Sequence, residues 1–333
     1  MREIINREKK KKREQKRCLR KYIFSSLNSF EMWFKKYVEL LKLCATPPSI
    51  VSPLPIFSIS LFLISNNNFY NFDIYLLFAG IVLTLLSSFG SNLWNHCNDL
   101  KEDMAAGKKT ILTQDINVYR IAQIISVFLY VCSILLAYYL SLEFNKPIYI
   151  FFSIWAFLTW WYSDNLVFKK VIGFRLKDHY ISELITYGIA CPFYTLSIWL
   201  IYSDLNLTGV IISIAFFFFS ISGLLLKDLK DISGDREAGL KTLGVVFLPS
   251  QLVRYSCWFM ILFYLVLLNP LTLGLFGYGL LVMVLPFLYF LKNTFHHMYR
   301  KNWILDMGDL KALKGIGTTI KFSVISLGLS AFF

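Results

Sequence analysis

Apolar residues fall into long, nearly uninterrupted stretches along most of this chain, and short polar segments separate them. A helix needs about 20 apolar residues to cross the hydrocarbon core of a membrane, which is about 30 Å thick. Nine stretches reach or approach that length: 48–65, 73–94, 116–140, 147–163, 180–202, 208–226, 251–269, 271–291 and 313–333. The pattern predicts an all-α polytopic membrane protein with nine transmembrane helices.

The composition agrees with a membrane protein. Hydrophobic residues make up 56% of the chain and charged residues 17%, with a mean hydropathy of +0.55. A soluble domain usually carries about 25% charged residues. The six cysteines show no paired spacing, so we predict neither a disulfide framework nor a zinc site.

Positive charge is concentrated at the start of the chain. The formal net charge is +13, and residues 1–42 hold 14 Lys and Arg against five Glu. A basic segment ahead of a first span commonly binds anionic lipid headgroups and fixes orientation, and an RNA-binding arm is the alternative. We predict a basic cytoplasmic arm over residues 1–42, a membrane domain over residues 43–333, lipid contacts and no nucleic-acid partner.

The loops between the predicted spans alternate in charge. The loops after the first, third, fifth and seventh spans contain a single Lys or Arg in total, Lys146, whereas each of the other four loops contains three or more. Because cytoplasmic loops carry the excess of Lys and Arg, the alternation predicts a cytoplasmic N-terminus and cytoplasmic even-numbered loops.

Two of the even-numbered loops carry the same sequence pattern. NDLKEDMAAGKKT (98–110) and KDISGDREAGLKT (230–242) both read D-x-x-x-D-x-x-A-G-x-K-T. So many matched positions in so apolar a chain indicate an internal repeat. Both copies follow even-numbered spans, so we expect them to lie at one face of the membrane.

Each copy also presents oxygen-bearing side chains in one stripe of a helix. The stripes are Asn95, Asp99 and Asp103 in the first cassette (residues 95–110), and Asp228, Asp231 and Asp235 in the second cassette (residues 228–242). Two such stripes facing each other would suit Mg²⁺, which prefers oxygen ligands shared with a phosphate. We expect Gly107 and Gly239 to break the helices, so that Lys109 and Lys241 return toward the acids. A single copy would ordinarily be a solvated helix end, but two matched copies favour a polyanion held through metal.

These motifs resemble those of the UbiA superfamily of intramembrane prenyltransferases. NHCNDLKED (95–103) matches the family's N-x-x-x-D-x-x-x-D after the second helix, and KDLKDISGDREAGLKTL (227–243) matches the aspartate-rich segment after the sixth. YSDNLVFKK places Tyr162 and Lys169 at the spacing of a third family element, Y-[ST]-x-P-x-x-x-K. The resemblance covers roughly residues 43–333. Asp164 and Asn165 replace the family's usual prolines, which leaves the acceptor pocket less defined than the metal site.

The resemblance implies a fold, a reaction and a set of roles. It implies a bundle of nine helices around a central prenyl-binding cavity, and transfer of an isoprenyl group from an allylic isoprenyl diphosphate to a lipophilic or amphiphilic acceptor. The acceptor would be an aromatic quinone precursor or a glycerol-phosphate-type lipid. Two Mg²⁺ ions bridged by the diphosphate would be held by Asn95, Asp99, Asp103, Asp228, Asp231 and Asp235. The diphosphate would be bound by Lys108, Lys109, Lys169, Lys170, Arg236 and Lys241. Tyr162 and Lys169 would be catalytic, with the Tyr162 ring stabilising the allylic cation.

A transporter with acidic cation-binding repeats is the alternative function, because carriers are also built from internal repeats. The clustering of the acids at one membrane face, with lysines beside them, favours the prenyltransferase. Tyr162 has the alternative of an interfacial aromatic belt, and Lys169 and Lys170 that of ordinary cytoplasmic loop charges. We expect a multi-pass protein of the cell membrane, with its active site at the cytoplasmic face and no obligatory protein partner.

Overall fold

The computed structural model describes residues 33–45, 54–65, 73–105, 107, 109–269, 271, 277–305 and 310–333. This part of the chain is all-α, as predicted, and contains no strand. Residues 44–333 form one compact unit, and residues 1–43 belong to a second one.

The helices follow one another with short connections. They are α1 (33–44), α2 (Leu54–Ser65), α3 (Ile74–Asn98), α4 (Leu100–Ala105), α5 (Ile111–Gln114), α6 (Ile116–Phe144), α7 (Ile148–Ser163), α8 (Phe168–Val171), α9 (Tyr180–Tyr202), α10 (Leu207–Glu237), α11 (Leu243–Val246), α12 (Pro249–Leu268), α13 (Val284–Phe290), α14 (His296–Arg300) and α15 (Leu310–Leu329). A 3₁₀ turn over Tyr278–Met283 precedes α13, and a π-helical turn over Leu291–Phe295 joins α13 to α14.

Seven helical stretches in the described part are long and apolar enough to cross a membrane. They are Ile74–Asn98, Ile116–Phe144, Tyr180–Tyr202, Leu207–Lys227, Pro249–Leu268, Tyr278–Arg300 and Leu313–Phe332. Seven of the nine predicted spans therefore correspond to helices of full length. The predicted eighth span, 271–291, lies further along the chain, because its helical structure continues through the polar residues up to Arg300.

The other two predicted spans correspond to shorter apolar helices, Pro55–Ser65 and Ile148–Ser163. The first begins close to residues 46–53, which lie outside the described residues. The second, α7, has 16 residues and is about 24 Å long at 1.5 Å per residue. It ends there because the buried Asp164 carboxylate accepts hydrogen bonds from the amides of Leu166, Val167 and Phe168, which turns the chain into α8.

Side-chain packing holds the ends of α3 and α7 together. Trp94, the residue before Asn95, stacks on Trp160 of α7 with ring centroids 4.1 Å apart. Its indole also donates a hydrogen bond to the Trp160 carbonyl at 3.2 Å. Burying a large aromatic ring stabilises such a contact by about 2–3 kcal/mol. The start of the first cassette is therefore fixed against α7.

The second cassette is fixed by a different helix. α10 packs against α9 and α12 within the bundle, and it continues past its apolar span as far as Glu237. Its last turns also contact α4, which carries Glu102 and Asp103. The packing therefore brings the two cassettes to the same end of the bundle, as the repeat predicted.

Candidate active site

The first cassette is a helix with one interruption. α3 ends at Asn98, Asp99 is the residue that interrupts it, and α4 begins at Leu100. The Asp103 amide still donates a hydrogen bond to the Asp99 carbonyl at 2.8 Å, so the helical turn is nearly preserved. Asp103 is buried, whereas Asp99 and Asn95 are partly exposed. Gly107 follows in a left-handed conformation with φ of 68°, where glycine is strongly favoured.

The second cassette is one uninterrupted helix up to Glu237. Gly239 then adopts φ of 73°, which matches Gly107 and agrees with the predicted helix break. Beyond the turn, the Thr242 hydroxyl donates a hydrogen bond to the Asp235 carboxylate at 2.9 Å. The side chains of Asp228 and Asp231 lie outside the described part of the chain.

The segment between α7 and α9, which we call the 164–180 connection, is attached to both cassettes. On the second cassette, the Lys241 amide donates to the Asp178 carbonyl at 3.0 Å, and the Tyr180 amide donates to the Lys241 carbonyl at 2.8 Å. On the first cassette, the Asn165 amide donates to the Asn98 side chain at 2.9 Å. The connection thus links the two repeats through backbone as well as side-chain groups.

Arg175 is the fully buried cation of the 164–180 connection. Its guanidinium lies 2.7 Å from the Glu102 carboxylate and 2.7 Å from the Asp178 carboxylate, and a third carboxylate, that of Asp99, is 3.9 Å away. A buried guanidinium must be paired because an isolated charge is costly to remove from water. Arg175 therefore holds the connection against the first cassette.

Lys177 lies between the two cassettes. Its ammonium forms an ion pair with the Asp99 carboxylate of the first cassette. Burial lowers the pKa of Lys177 to about 7, and the neighbouring Lys227 lowers it as well. The carboxylates of Asp235, Asp178 and Glu183 act in the opposite direction. Since Asp235 belongs to the second cassette, acids from both repeats act on one ammonium.

Tyr162 adjoins this charged cluster at the end of α7. Its hydroxyl donates a 2.5 Å hydrogen bond to the buried Glu183 carboxylate of α9, and it accepts a hydrogen bond from the Lys227 ammonium of α10 at 2.9 Å. The Lys227 ammonium lies 4.0 Å from the Glu183 carboxylate. The Tyr162 side chain is therefore buried and hydrogen-bonded, unlike an exposed tyrosine of an interfacial aromatic belt.

The predicted site residues are distributed around this cluster. The side-chain amide oxygen of Asn95, Oδ1, accepts a 2.6 Å hydrogen bond from the hydroxyl of Ser163, the residue after Tyr162. Five of the predicted diphosphate ligands are exposed on the surface: Lys109, Lys169, Lys170, Arg236 and Lys241. Lys108 lies outside the described residues. The Asp99 carboxylate instead forms ion pairs with Arg175 and Lys177.

Four charged residues of the cluster are not among the predicted site residues: Arg175, Lys177, Glu183 and Lys227. In the sequence, Arg175, Lys177 and Lys227 are positive charges of loops predicted to be cytoplasmic. Glu183 is a charge near the start of the fifth predicted span, which raises the question of a function and has an interfacial position as its alternative. The signal that could have found them is their position, because all four flank the apolar ends of α7, α9 and α10, where spans converge.

The donor set of the cassettes fits Mg²⁺. Asp99, Asp103 and Asp235 offer hard carboxylate oxygens, which this ion prefers over nitrogen or sulfur ligands. Among the side chains that the structure describes, no three His, Cys, Asp or Glu residues form a metal-sized group. Asp228 and Asp231, which would contribute to such a group, are not part of that set.

Comparison with known proteins agrees with the fold and the motifs. The family model described as the UbiA prenyltransferase family matches residues 54–304. A relative from Archaeoglobus fulgidus, named only as an uncharacterized protein, is 32% identical over 280 residues, covering 83% of this chain and 92% of that protein.

Two solved structures share the architecture. A digeranylgeranylglyceryl phosphate synthase has a TM-score of 0.59 at 17% identity, covering 90% of this chain and 98% of that one. A UbiA homolog from Archaeoglobus fulgidus bound to GPP and Mg²⁺ has a TM-score of 0.59 at 16% identity, covering 88% of this chain and 99% of that one. At these identities the likeness is one of fold.

The helical bundle, with charged groups of both signs gathered at one end, defines an integral membrane enzyme that transfers prenyl groups. The chain belongs to the UbiA prenyltransferase family. It is thus an intramembrane prenyltransferase, as the sequence motifs predicted.

Proposed function

We propose that this enzyme transfers an isoprenyl group from an allylic isoprenyl diphosphate to a lipophilic or amphiphilic acceptor, at the cytoplasmic face of the membrane and with Mg²⁺. The observation that carries the proposal is the position of Lys177, which is ion-paired to Asp99 of the first cassette. The next residue, Asp178, accepts a backbone hydrogen bond from Lys241 of the second cassette. Two acidic cassettes that meet around buried cations suit a polyanion with its metal ions. A carrier for free cations would gain nothing from Arg175 and Lys177, because fixed positive charges raise the cost of binding another cation.

The metal ligands in this proposal are Asn95, Asp99, Asp103, Asp228, Asp231 and Asp235. We propose two Mg²⁺ ions, each shared between protein oxygens and the substrate diphosphate. Bound Mg²⁺ supplies positive charge that stabilises the diphosphate as it departs. Support comes from the donor set and from the structural relative that is described with GPP and Mg²⁺.

The cations surround the proposed diphosphate position in two groups. Arg175, Lys177 and Lys227 form a buried or half-buried group, and the lysines and arginine of the cassettes and of α8 form an exposed group. The exposed group comprises Lys109, Lys169, Lys170, Arg236 and Lys241. Lys108, which lies outside the described residues, is a further proposed ligand of the diphosphate. We propose that the buried group orients the acids and that the exposed group captures the diphosphate from the aqueous layer.

The proposed reaction begins when the bond between the allylic carbon and the diphosphate oxygen breaks, and the electron pair leaves with the diphosphate. The allylic cation then faces the ring of Tyr162, whose π-electrons stabilise positive charge. An electron pair of the acceptor forms the new bond to the allylic carbon, and the acceptor releases one proton. Lys169, at the end of α8, is the proposed catalytic cation for the departing charge.

The proposed acceptor is a glycerol-phosphate-type lipid or an aromatic quinone precursor. The first is favoured by the likeness of fold to a protein described as a digeranylgeranylglyceryl phosphate synthase. The aromatic quinone precursor remains a proposed acceptor because both reactions require the same allylic cation and differ only in the nucleophile.

A direct assay tests the proposal. Purified enzyme in lipid nanodiscs is supplied with labelled isoprenyl diphosphates of five to twenty carbons and with both classes of acceptor. We expect Mg²⁺-dependent transfer that is abolished by EDTA and restored by added Mg²⁺. Asp204→Ala is the control variant, because this exposed acid precedes the opposite end of α10 and its carboxylate forms an ion pair with Lys146. Failure of every donor with both acceptors would overturn the proposed substrates.

Membrane topology is a separate part of the proposal. We propose nine crossings, with α2 and α7 completing the seven span-length helices, and a cytoplasmic N-terminus whose basic arm contacts lipid headgroups. Single cysteines at Gly107 and Gly239, in a cysteine-free background, should react with an impermeant reagent from the cytoplasmic side only. A single cysteine at Asp204 should react from the opposite side. Labelling of the two glycine positions from opposite faces would contradict the shared site.

A further inference from the structure

Tyr162 is held by groups from two other helices. Its hydroxyl contacts the Glu183 carboxylate of α9 and the Lys227 ammonium of α10. Its ring meets the ring of Tyr187 edge to face, with centroids 5.7 Å apart and planes inclined by 69°. Because the contacts come from both α9 and α10, they fix the position and the plane of the Tyr162 ring.

The hydrogen bond between Tyr162 and Glu183 is buried and short, with the two oxygens 2.5 Å apart. Glu183 is 1% exposed, so its carboxylate has little water to stabilise it. A buried carboxylate is stable when it is paired, and the Lys227 ammonium at 4.0 Å supplies a counter-charge.

Such a bond changes the chemistry of the phenol. When a hydroxyl donates to an anionic oxygen, electron density shifts from the O–H bond onto the phenol oxygen and its ring. A ring with more π-electron density attracts a cation more strongly, because the attraction is electrostatic. The Lys227 ammonium donates to the same phenol oxygen and acts in the opposite sense, so the main effect of the two contacts is to fix the orientation of the ring.

We propose that Glu183 is a positioning residue for catalysis, which orients the Tyr162 ring toward the allylic cation. This inference rests on the proposed function, in which Tyr162 faces that cation. Lys227 has a companion role in this proposal. It lies on α10 immediately before Asp228, so it connects the Tyr162 phenol to the helix that carries the second cassette.

Glu183→Gln tests the proposal because it keeps the shape and the hydrogen-bond acceptor but removes the charge. We expect kcat for prenyl transfer to fall about tenfold, while the KM for the prenyl diphosphate changes less than twofold. In a Tyr162→Phe background the same substitution should have almost no further effect, because the hydroxyl through which Glu183 acts is gone. A merely structural role would give an additive loss in the double variant.

The chain offers a matched control for this experiment. Glu143 accepts a 2.7 Å hydrogen bond from the Tyr75 hydroxyl, in an exposed pair remote from the cassettes. Glu143→Gln removes a carboxylate from the same kind of contact and should leave kcat unchanged. Binding of prenyl diphosphate by calorimetry, and the unfolding temperature in detergent, show whether each variant is folded.

The outcomes separate this inference from the proposed function. Two results would contradict the positioning role while leaving the prenyltransferase activity established. In the first, Glu183→Gln raises KM and leaves kcat unchanged. In the second, Glu183→Gln lowers kcat equally in the wild-type and the Tyr162→Phe backgrounds. If the wild-type enzyme transfers no prenyl group from any donor, the proposed function fails and the inference fails with it. Should Glu183→Gln not fold, Tyr162→Phe breaks the same contact from the other side. A kcat within twofold of wild type in that variant would overturn the inference.

Discussion

The two cassettes share a sequence pattern of six identical positions but differ in structure. The first is interrupted at Asp99 and is held by the buried cations Arg175 and Lys177. The second belongs to one continuous helix, and its Asp235 is held by a hydroxyl group of Thr242. The difference arises from the 164–180 connection, which brings its two buried cations to the carboxylates of Asp99 and Glu102. A sequence repeat therefore predicted a shared location but not equal surroundings.

The largest effects should come from removing metal ligands, and they should differ in kind between the cassettes. Asp99→Ala and Asp231→Ala should each lower turnover by at least a hundredfold, because a shared metal site loses a ligand in either case. Asp99→Ala should also lower the unfolding temperature, because Lys177 is left buried without its partner. Kinetics and thermal unfolding in detergent test both statements. Full activity of either variant would contradict the two-cassette site.

A second substitution pair compares buried and exposed arginines. Arg175→Met should reduce the free energy of unfolding by about 3–5 kcal/mol, because the Glu102 and Asp178 carboxylates lose their buried partner. Arg236→Met, in the exposed part of the second cassette, should change it by less than about 0.5 kcal/mol. Unfolding curves in urea with detergent measure both. Equal losses of unfolding free energy in the two variants would show that the buried and the exposed arginine stabilise the protein to the same extent.

The exposed lysines should respond equally in the two cassettes. Lys109 and Lys241 each lie two residues beyond a left-handed glycine. Each substitution to alanine should weaken binding of prenyl diphosphate about tenfold, which corresponds to about 1.4 kcal/mol for a charge-assisted contact. Reversal to glutamate should weaken it further. Titration calorimetry measures the affinities. If they are unchanged, these lysines serve only to orient the protein in the membrane.

The smallest predicted effect concerns two threonines at equivalent positions. Thr242 donates to Asp235, whereas Thr110 accepts a hydrogen bond from the Thr113 amide and caps α5. Thr242→Val should lower kcat about fivefold, since one hydrogen bond contributes about 1 kcal/mol. Thr110→Val should leave kcat unchanged. Steady-state kinetics of the two variants distinguish the roles, and equal losses would mean that the hydroxyls act in the same way.

Much of the fold was predictable because hydrophobicity and turn chemistry act locally. The α7 boundaries came from the apolar run between Pro147 and Asp164, and the helix breaks came from Gly107 and Gly239. The predicted eighth span ended too early, since its helix continues through polar residues that a hydropathy criterion assigns to a loop.

The candidate site was less predictable, because its buried charges depend on contacts between distant segments. Arg175 meets Glu102 across 73 residues, and Tyr162 meets Lys227 across 65. Neither pair forms a local motif, so the sequence shows that such a charge flanks a span but not which distant group it contacts. The repeated cassettes could be recognised because each one is a short, continuous segment of the sequence.

The length of α10 determines how the enzyme meets its substrate. The apolar part of this helix ends at Lys227, and the helix continues to Glu237, which adds about 15 Å along its axis. That distance exceeds the thickness of one headgroup layer, which is about 5–8 Å. The reacting end of a substrate dissolved in the membrane therefore reaches the enzyme by diffusion within the membrane plane and not through bulk solution. Its effective concentration is a mole fraction in the lipid, so diluting the membrane with inert lipid slows the enzyme, whereas adding buffer does not.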